Sequence, residues 1–249
     1  KYIAMRETAC NDNRVRGLLQ FYGANRTGRW AGRLVQIQNL PRNYLPRLDL
    51  ARQYVRERKM DVLKFIYGNI PDTLSQLIRT AFVPERNRLF LVADFSAIEA
   101  RVIAWLAGET WRQEVFATHG QIYEASASAM FDVPLEEITK GSELRQKGKI
   151  AELALGYQGG PGALISMGAL DMGLTEEELP EIVQRWRATN KNIVSLWYAL
   201  ENAALGVVRT GQMQQVRGLV LAREGDYTNE LDFLTIQLPS GRKLYYPNP

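Results

Sequence analysis

The stretch LFLVADFSAIEARVIAWLAG, residues 89–108, combines an apolar run, a carboxylate and the signals of a helix start. The five apolar residues that open it predict a buried strand, which ends on the carboxylate of Asp94. Ser96 and Glu99 have the spacing of a capping box, so a helix is expected to begin there and to stop at Gly108. A strand would aim Asp94, and a helix N-terminus favours anions, so the segment predicts a functional carboxylate. A turn aspartate beside a capping pair would give the same pattern.

A second informative stretch is SELRQKGKIAELALGYQGGPG, residues 142–162, where Ser142 is expected to cap a helix and the glycine-rich end to stop it. Four residues recur at every fourth position: Arg145, Lys149, Leu153 and Tyr157. Each step of four drifts only ~40° around a helix, so they form one slowly turning stripe. Two cations, an apolar residue and an aromatic ring suit a nucleoside triphosphate. An ordinary amphipathic helix with a basic end would show the same spacing.

Together these stretches resemble the family A DNA polymerases, the bacterial polymerase I-like enzymes. The first is similar to their motif A, D-[YF]-S-x-I-E-x-R, and the second to their motif B, R-x3-K-x7-Y. Upstream, TGRWAGRLVQIQNLPR at 27–42 is similar to the family's T-G-R…Q-N-[LI]-P segment. The motif order is that of the family, the resemblance covers nearly the whole chain, and the version is closest to the polymerases of phages and prophages.

The resemblance implies an α+β fold with a polymerase palm, an antiparallel β-sheet with helices, and a mostly helical fingers subdomain. Residues 1–110 would form a partial palm that carries motif A and the primer–template segment. Residues 111–249 would form the fingers, with the motif B helix and a terminal β-ribbon. Palm-like strands are expected at 17–22 and 89–93.

Periodicity predicts the remaining elements. Helices are expected over 49–67, 75–82, 119–131 and 139–157. A second capping box, Thr175 with Glu178, predicts a long helix towards Leu205 that places Trp186 and Trp197 in the core. The C-terminal residues then predict strands in GVVRT, VRGLVLARE, LDFLTIQLP and RKLYYP.

The resemblance also implies roles for individual residues. Asp94 would be one of two carboxylates that hold catalytic Mg²⁺, and the Phe95 carbonyl would be a further ligand. Glu99 would be a steric gate that crowds a ribose 2′-hydroxyl. Arg145 and Lys149 would bind the triphosphate of the incoming deoxynucleotide and neutralise charge as the α–β bond breaks.

Further substrate contacts are implied by position. Tyr123 would approach the triphosphate, Leu153 would lie under the sugar and base, and Tyr157 would lie near the templating position. Primer–template contacts would come from Arg29, Gln38 and Asn39. Minor-groove acceptors are common to all base pairs, so such contacts would carry no sequence preference.

The chain departs from the family pattern in four places. Leu153 stands where the family has Phe or Tyr, and Tyr123 stands where a His is common. Residues 43–69 look like an insertion. Motif C, a His-Asp-Glu triplet with the second metal carboxylate, is absent, since His119 is the only histidine and has no adjacent acid. We therefore expect a fragment that is inactive alone although its parent polymerises.

Two alternatives remain open at this point. A single-subunit RNA polymerase carries a similar Arg/Lys/Tyr stripe on its fingers helix, but a bulky acid at the gate, Glu99, argues against a ribose site. A polymerase-like DNA-binding module without catalysis would also lack motif C. The oligomeric state is left open by the sequence.

Composition and charge fit a nucleic-acid partner. The net charge is +4 and the pI about 9.2, but residues 1–60 alone carry 13 Lys and Arg against 4 Asp and Glu. This basic end predicts phosphate contacts, and a solvated basic face would show the same charge balance. The family resemblance implies that the partners are primer–template DNA and deoxynucleoside triphosphates. Cys10 is the only cysteine, which fits a reducing cytosol, and no apolar run approaches the ~20 residues of a membrane span. Together with the family resemblance, this implies a location in the cytoplasm of a bacterial or phage-infected cell.

Overall fold

A computed structural model describes residues 1–25, 27–226 and 231–249. The chain divides into two compact units, Lys1–Ala93 and Asp94–Pro249. Both combine helices with antiparallel strand pairs, which confirms the α+β class. The assignment of a partial palm to 1–110 and of fingers to 111–249 stays a prediction.

The first unit contains short helices and one β-hairpin. Its elements are α1 (Tyr2–Thr8), β1 (Leu19–Ala24), β2 (Arg29–Gly32), α2 (Leu48–Arg56), α3 (Met60–Tyr67) and α4 (Ile70–Leu77), with 3-10 helices at Ile37–Asn39 and Ile78–Ala81. The two strands pair antiparallel, with Leu19 opposite Gly32. Two small apolar clusters, one around Val35 and one around Leu63, supply its core. Helices α2 and α3 occupy the range 49–67 as predicted, whereas the range 75–82 holds the end of α4 and the 3-10 helix Ile78–Ala81.

Residues 89–93 do not form the predicted strand. The segment has no regular secondary structure, no strand in the described part of the chain pairs with it, and Leu91 is 96% exposed. Apolar composition alone does not make a strand, because the backbone N–H and C=O groups need a ladder partner. Asp94 therefore follows an irregular segment and not a sheet.

The second unit is a group of helices followed by a sheet. Its elements are α5 (Ile98–Ala107), α6 (Thr110–Ala117), α7 (Ile122–Phe131), α8 (Glu143–Leu155), α9 (Pro161–Ser166), α10 (Leu179–Thr189), α11 (Lys191–Thr210), β3 (Gln214–Val216), β4 (Leu219–Asp226), β5 (Leu231–Gln237) and β6 (Lys243–Pro247), with a 3-10 helix at Leu135–Glu137. The strands lie in the order β3-β4-β5-β6, and all neighbours are antiparallel. Within the described ranges, no helix of either unit has the length and apolar character that crossing a bilayer requires.

The core of the second unit surrounds α8. Trp186 of α10 is fully buried and stacks on Trp197 of α11, with ring centroids 5.8 Å apart. Ile150 and Leu155 of α8 pack into the same cluster. The prediction that both tryptophans belong to the core is confirmed, and their packing fixes the buried side of α8.

Two predictions for the part of this unit after Glu178 are wrong. The long helix expected after Glu178 is two helices, α10 and α11, separated at Asn190. The GVVRT segment, expected as a strand, is the end of α11. Ala203 and Val207 lie four residues apart and are both buried against the sheet, so packing of this helical face overrides the β propensity of the valines.

Candidate functional site

Helix α8 carries the predicted nucleotide-binding stripe. The side-chain oxygen of Ser142 accepts a hydrogen bond from the Arg145 backbone N–H at 3.3 Å, so the predicted N-cap is confirmed. One side of the helix is buried in the core, whereas Leu153 is 43% exposed. Tyr157 lies two residues beyond the helix end and is 70% exposed. The first three members of the stripe are thus helical, and the fourth follows in the turn.

The two lysines of α8 have different surroundings. The Lys147 ammonium lies 2.8 Å from Glu143 and 2.9 Å from Glu178, and the hydrogen bond to Glu143 is the main cause of its raised pKa. Lys149 is partly buried, and no carboxylate among the described residues lies within 4 Å of its ammonium. The charge of Lys147 is therefore compensated within the protein, and that of Lys149 is available to an anion.

The side chain of Arg145 lies against two residues of α7. Its Nε donates a hydrogen bond to a carboxylate oxygen of Glu124, and its guanidinium carbon lies 5.6 Å from the ring centroid of Tyr123. The side chains of Arg145 and Glu124 are 20% and 13% exposed. The structure thus brings together Arg145 and Tyr123, two predicted substrate-binding residues. Sequence reasoning missed Glu124, because a contact across 21 residues leaves no local signal.

Gly148 lets α7 and α8 approach this closely. A Cβ atom at this position would lie 2.2 Å from the Tyr123 backbone oxygen and 3.0 Å from the Ala127 Cβ. Glycine inside a helix costs about 1 kcal/mol relative to alanine, so its presence there signals a packing requirement. The close approach keeps Tyr123 and its neighbour beside the cationic end of α8.

Behind α8, Arg112 and Glu152 form a buried ion pair whose side chains are 1% and 2% exposed. The Glu152 carboxylate also accepts hydrogen bonds from Ser126 and from the Trp186 indole N–H, while Arg112 donates to the Asn190 amide oxygen at 2.9 Å. This network connects α8 to α6, α7 and α10. Its sequence signal was a glutamate inside the otherwise apolar run that ends α8.

The predicted metal ligands Asp94 and Phe95 are both exposed and lie just before α5. Carboxylate and carbonyl oxygens are the ligands that Mg²⁺ prefers. Among the described residues, no group of three or more His, Cys, Asp or Glu side chains could hold a metal. The two donors therefore fit Mg²⁺ in chemistry, and a complete coordination shell would need oxygen ligands from elsewhere.

The capping box predicted at the start of α5 is wrong. The residue before the helix is Ala97, in the left-handed region at φ 49°, and no side chain caps the helix. Arg101 instead holds this entry: its Nε donates to the Ser96 carbonyl at 2.9 Å, and its guanidinium lies 4.3 Å from the Phe116 ring centroid. Glu99 is exposed in the first turn, and Gly108 ends the helix at φ 71°, as predicted.

The predicted DNA-binding residues lie in the first unit. Arg29 begins β2, and Gln38 and Asn39 belong to the 3-10 helix at Ile37–Asn39. All three are exposed. The side-chain amide of Gln38 lies against the buried Gly32. A Cβ atom at position 32 would lie 2.0 Å from the Gln38 Nε2. These three residues therefore share one region of the first unit, while the other predicted site residues lie in the second.

Comparison with known proteins identifies consistent relatives. The profile of DNA polymerase family A matches residues 2–210. The DNA polymerase of Bacillus phage SP02 is 60% identical over 250 residues, covering 100% of the chain and 38% of that protein. The thermostable DNA polymerase I of Thermus aquaticus is 42% identical over 72 residues (28% of the chain, 9% of that protein). DNA polymerase I of Bacillus subtilis strain 168 is 31% identical over 121 residues (47% and 13%). The chain thus spans well under half the length of each relative.

Proposed function

Because the chain belongs to DNA polymerase family A, we propose that it contributes the nucleotide-binding helix and one metal-binding carboxylate to a template-directed DNA polymerase. The reaction transfers a nucleotidyl group from a deoxynucleoside triphosphate to a primer 3′-hydroxyl and releases pyrophosphate. Because the chain spans 38% of the phage relative's length, the complete reaction is proposed for a whole polymerase, to which this chain contributes part of the site. Its location would be the cytoplasm of a bacterial or phage-infected cell.

The observation that carries this proposal is the uncompensated charge on α8. Lys149 has no carboxylate partner among the described residues, whereas Lys147 has two. Arg145 lies one turn before Lys149, and its hydrogen bond to the Glu124 carboxylate uses Nε alone. Two cations at this spacing can bind a triphosphate and neutralise the charge that develops on the departing pyrophosphate.

The rest of the stripe suits the nucleoside. Leu153 and Tyr157 are exposed beyond the cations and offer apolar and aromatic surface to a sugar and a base. The Tyr123 phenol can donate a hydrogen bond to a phosphate without adding charge. Glu99 would crowd a ribose 2′-hydroxyl and so favour deoxyribonucleotides.

Asp94 and the Phe95 carbonyl would hold Mg²⁺, which when bound stabilises both the attacking 3′-oxygen and the departing pyrophosphate. Arg101 restrains the backbone beside them through the Ser96 carbonyl. Primer–template contacts are assigned to Arg29, Gln38 and Asn39, whose exposure is compatible with minor-groove binding.

A chimera tests the proposal. The matching 38% of the phage SP02 polymerase is replaced by this chain, and primer extension is measured with Mg²⁺ and either deoxy- or ribonucleotides. We expect extension with deoxynucleotides only, and its loss in Asp94→Ala. Extension with ribonucleotides would favour an RNA polymerase-like site. Primer–template binding without extension would favour a DNA-binding module.

A further inference from the structure

We propose that Glu124 is a positioning residue that holds the Arg145 guanidinium by its Nε and thereby presents its two Nη groups to the triphosphate. The inference rests on the proposed function, because it concerns the same nucleotide site. It assigns a role to a side chain of α7 that none of the motifs contains.

The hydrogen-bond pattern distinguishes this pair from a saturated ion pair. A guanidinium carries five N–H donors, four of them on the Nη groups. Glu124 accepts from Nε, and the Nη groups of Arg145 make no hydrogen bond with the described residues. The Nη groups form the fork that binds a phosphate through two parallel hydrogen bonds. Glu124 therefore occupies one edge of the guanidinium and leaves the binding edge unused.

The surroundings explain why such a support is needed. Arg145 lies in the first turn of α8, where a cation opposes the helix dipole, and Glu124 lies in the first turn of α7, where a carboxylate is favoured. The pair compensates the unfavourable position of Arg145. The Tyr123 ring contacts the guanidinium as well, so two neighbouring residues of α7 restrict a side chain that would otherwise lose rotamer entropy on binding.

The negative charge of Glu124 would repel a triphosphate and weaken its binding. The hydrogen bond from Nε to Glu124 would instead hold Arg145 in place and strengthen binding. Two substitutions separate these effects. Glu124→Gln removes the charge and keeps an oxygen that can accept from Nε. Glu124→Asp keeps the charge and shortens the side chain by one methylene, so that the contact with Nε is lost.

The experiment is titration calorimetry of the 249-residue chain with inorganic tripolyphosphate and with dTTP, at fixed ionic strength. We expect Glu124→Ala and Glu124→Asp to weaken binding ~3–10-fold and Glu124→Gln to stay within ~2-fold of the wild type, in line with the strength of one charge-assisted hydrogen bond. The matched control is Glu143→Ala, which removes a carboxylate that contacts Lys147 and not Arg145. It should leave binding unchanged or make it tighter.

A double variant tests whether Glu124 acts through Arg145. In an Arg145→Ala background, Glu124→Ala should no longer weaken binding, because there is no guanidinium left to position. The ¹⁵Nε–Hε signal of Arg145 provides a direct readout: it should be shifted by the hydrogen bond in the wild type and in Glu124→Gln, and not in Glu124→Asp.

The outcomes separate the two proposals. If Glu124→Asp binds like the wild type and Glu124→Gln binds more tightly, Glu124 acts only as a charge, and the inference is overturned while the proposed function stands. If the wild type does not bind either ligand, or if Arg145→Ala and Lys149→Ala leave binding unchanged, the proposed function is overturned and the inference with it. Should Glu124→Ala fail to fold, the comparison of the Gln and Asp variants decides.

Discussion

Helix α8 contributes one residue to each of two arginine–glutamate pairs, Glu152 to one and Arg145 to the other. The pairs differ in burial and in which arginine nitrogens donate to the carboxylate. Arg112 and Glu152, behind the helix, are 1% and 2% exposed, and both Nη groups of the arginine bond the carboxylate, which also receives hydrogen bonds from α7 and α10. Arg145 and Glu124, at its front, are 20% and 13% exposed and are joined through Nε.

The same pairing chemistry serves structure in the buried pair and binding in the partly exposed pair. The buried pair engages both Nη groups of its arginine, so neither is left for a ligand, and breaking it leaves an uncompensated charge in the core. A partly exposed pair with unused donors contributes less to stability and can receive an anion. Substitutions around α8 should therefore divide into those that unfold the protein and those that only weaken binding.

The largest effect is expected from Arg112→Met, which fills similar space but leaves Glu152 buried without its cation. We expect unfolding free energy to fall by ~3–5 kcal/mol, measured by urea denaturation, a large share of the total stability of a domain.

The control is the double variant Arg112→Met with Glu152→Leu, which removes both charges. It should recover about half of the loss or more, since apolar replacement of a buried pair is often tolerated. A double variant as unstable as the single one would mean that volume, and not the unpaired charge, governs this position.

Gly148→Ala should have the next largest effect, because the added Cβ would lie 2.2 Å from a backbone oxygen of α7. We expect a loss of ~1–3 kcal/mol from overpacking, together with weaker tripolyphosphate binding as α7 moves away from α8. The matched control is Gly162→Ala in α9, where nothing lies within 4 Å of the new atom. Equal stability of the two variants would contradict the close approach of the helices.

Lys149→Ala should leave stability almost unchanged and weaken tripolyphosphate binding ~10-fold or more, equivalent to about 1.4 kcal/mol. Lys147→Ala is the matched control, because its ammonium is already compensated by Glu143 and Glu178. Calorimetry at two salt concentrations measures both variants. Similar losses from the two lysines would indicate a diffuse charge effect and no defined site.

Local pattern was sufficient to predict α8 and the burial of Trp186, because helical period and end signals are contained within one segment. The same reasoning failed at Ser96, where the entry to α5 depends on Arg101 and the Phe116 ring of α6 and not on a cap. It failed at 89–93 because a strand requires a partner elsewhere in space.

For the candidate site, as for the fold, the sequence predicted the residues within one segment but not their contacts with distant segments. The stripe on α8 follows from spacing, and the resemblance to a family supplied roles for Asp94 and Arg29. The supporting residues, Glu124 and Gly148, act through contacts between α7 and α8 that are distant in sequence. Which cation is compensated and which is available therefore depends on the tertiary structure, although the cations themselves are visible in the sequence.

The smallest effect is expected from a third pair, Arg223 of β4 with Asp232 of β5, which is more exposed than the other two. Hydrogen bonds from Arg223 lower the pKa of Asp232 in the folded protein. The pair therefore stabilises the fold above the ordinary aspartate pKa of ~4, and this contribution is lost as pH falls through the lowered value. In Asp232→Asn, the small loss of melting temperature at pH 7 should shrink as pH falls below ~4. The control, Asp171→Asn, replaces an exposed aspartate that makes no hydrogen bond with the described residues. A difference between Asp232→Asn and the wild type that stays constant from pH 7 to pH ~2 would mean that the pair acts through packing and not through charge.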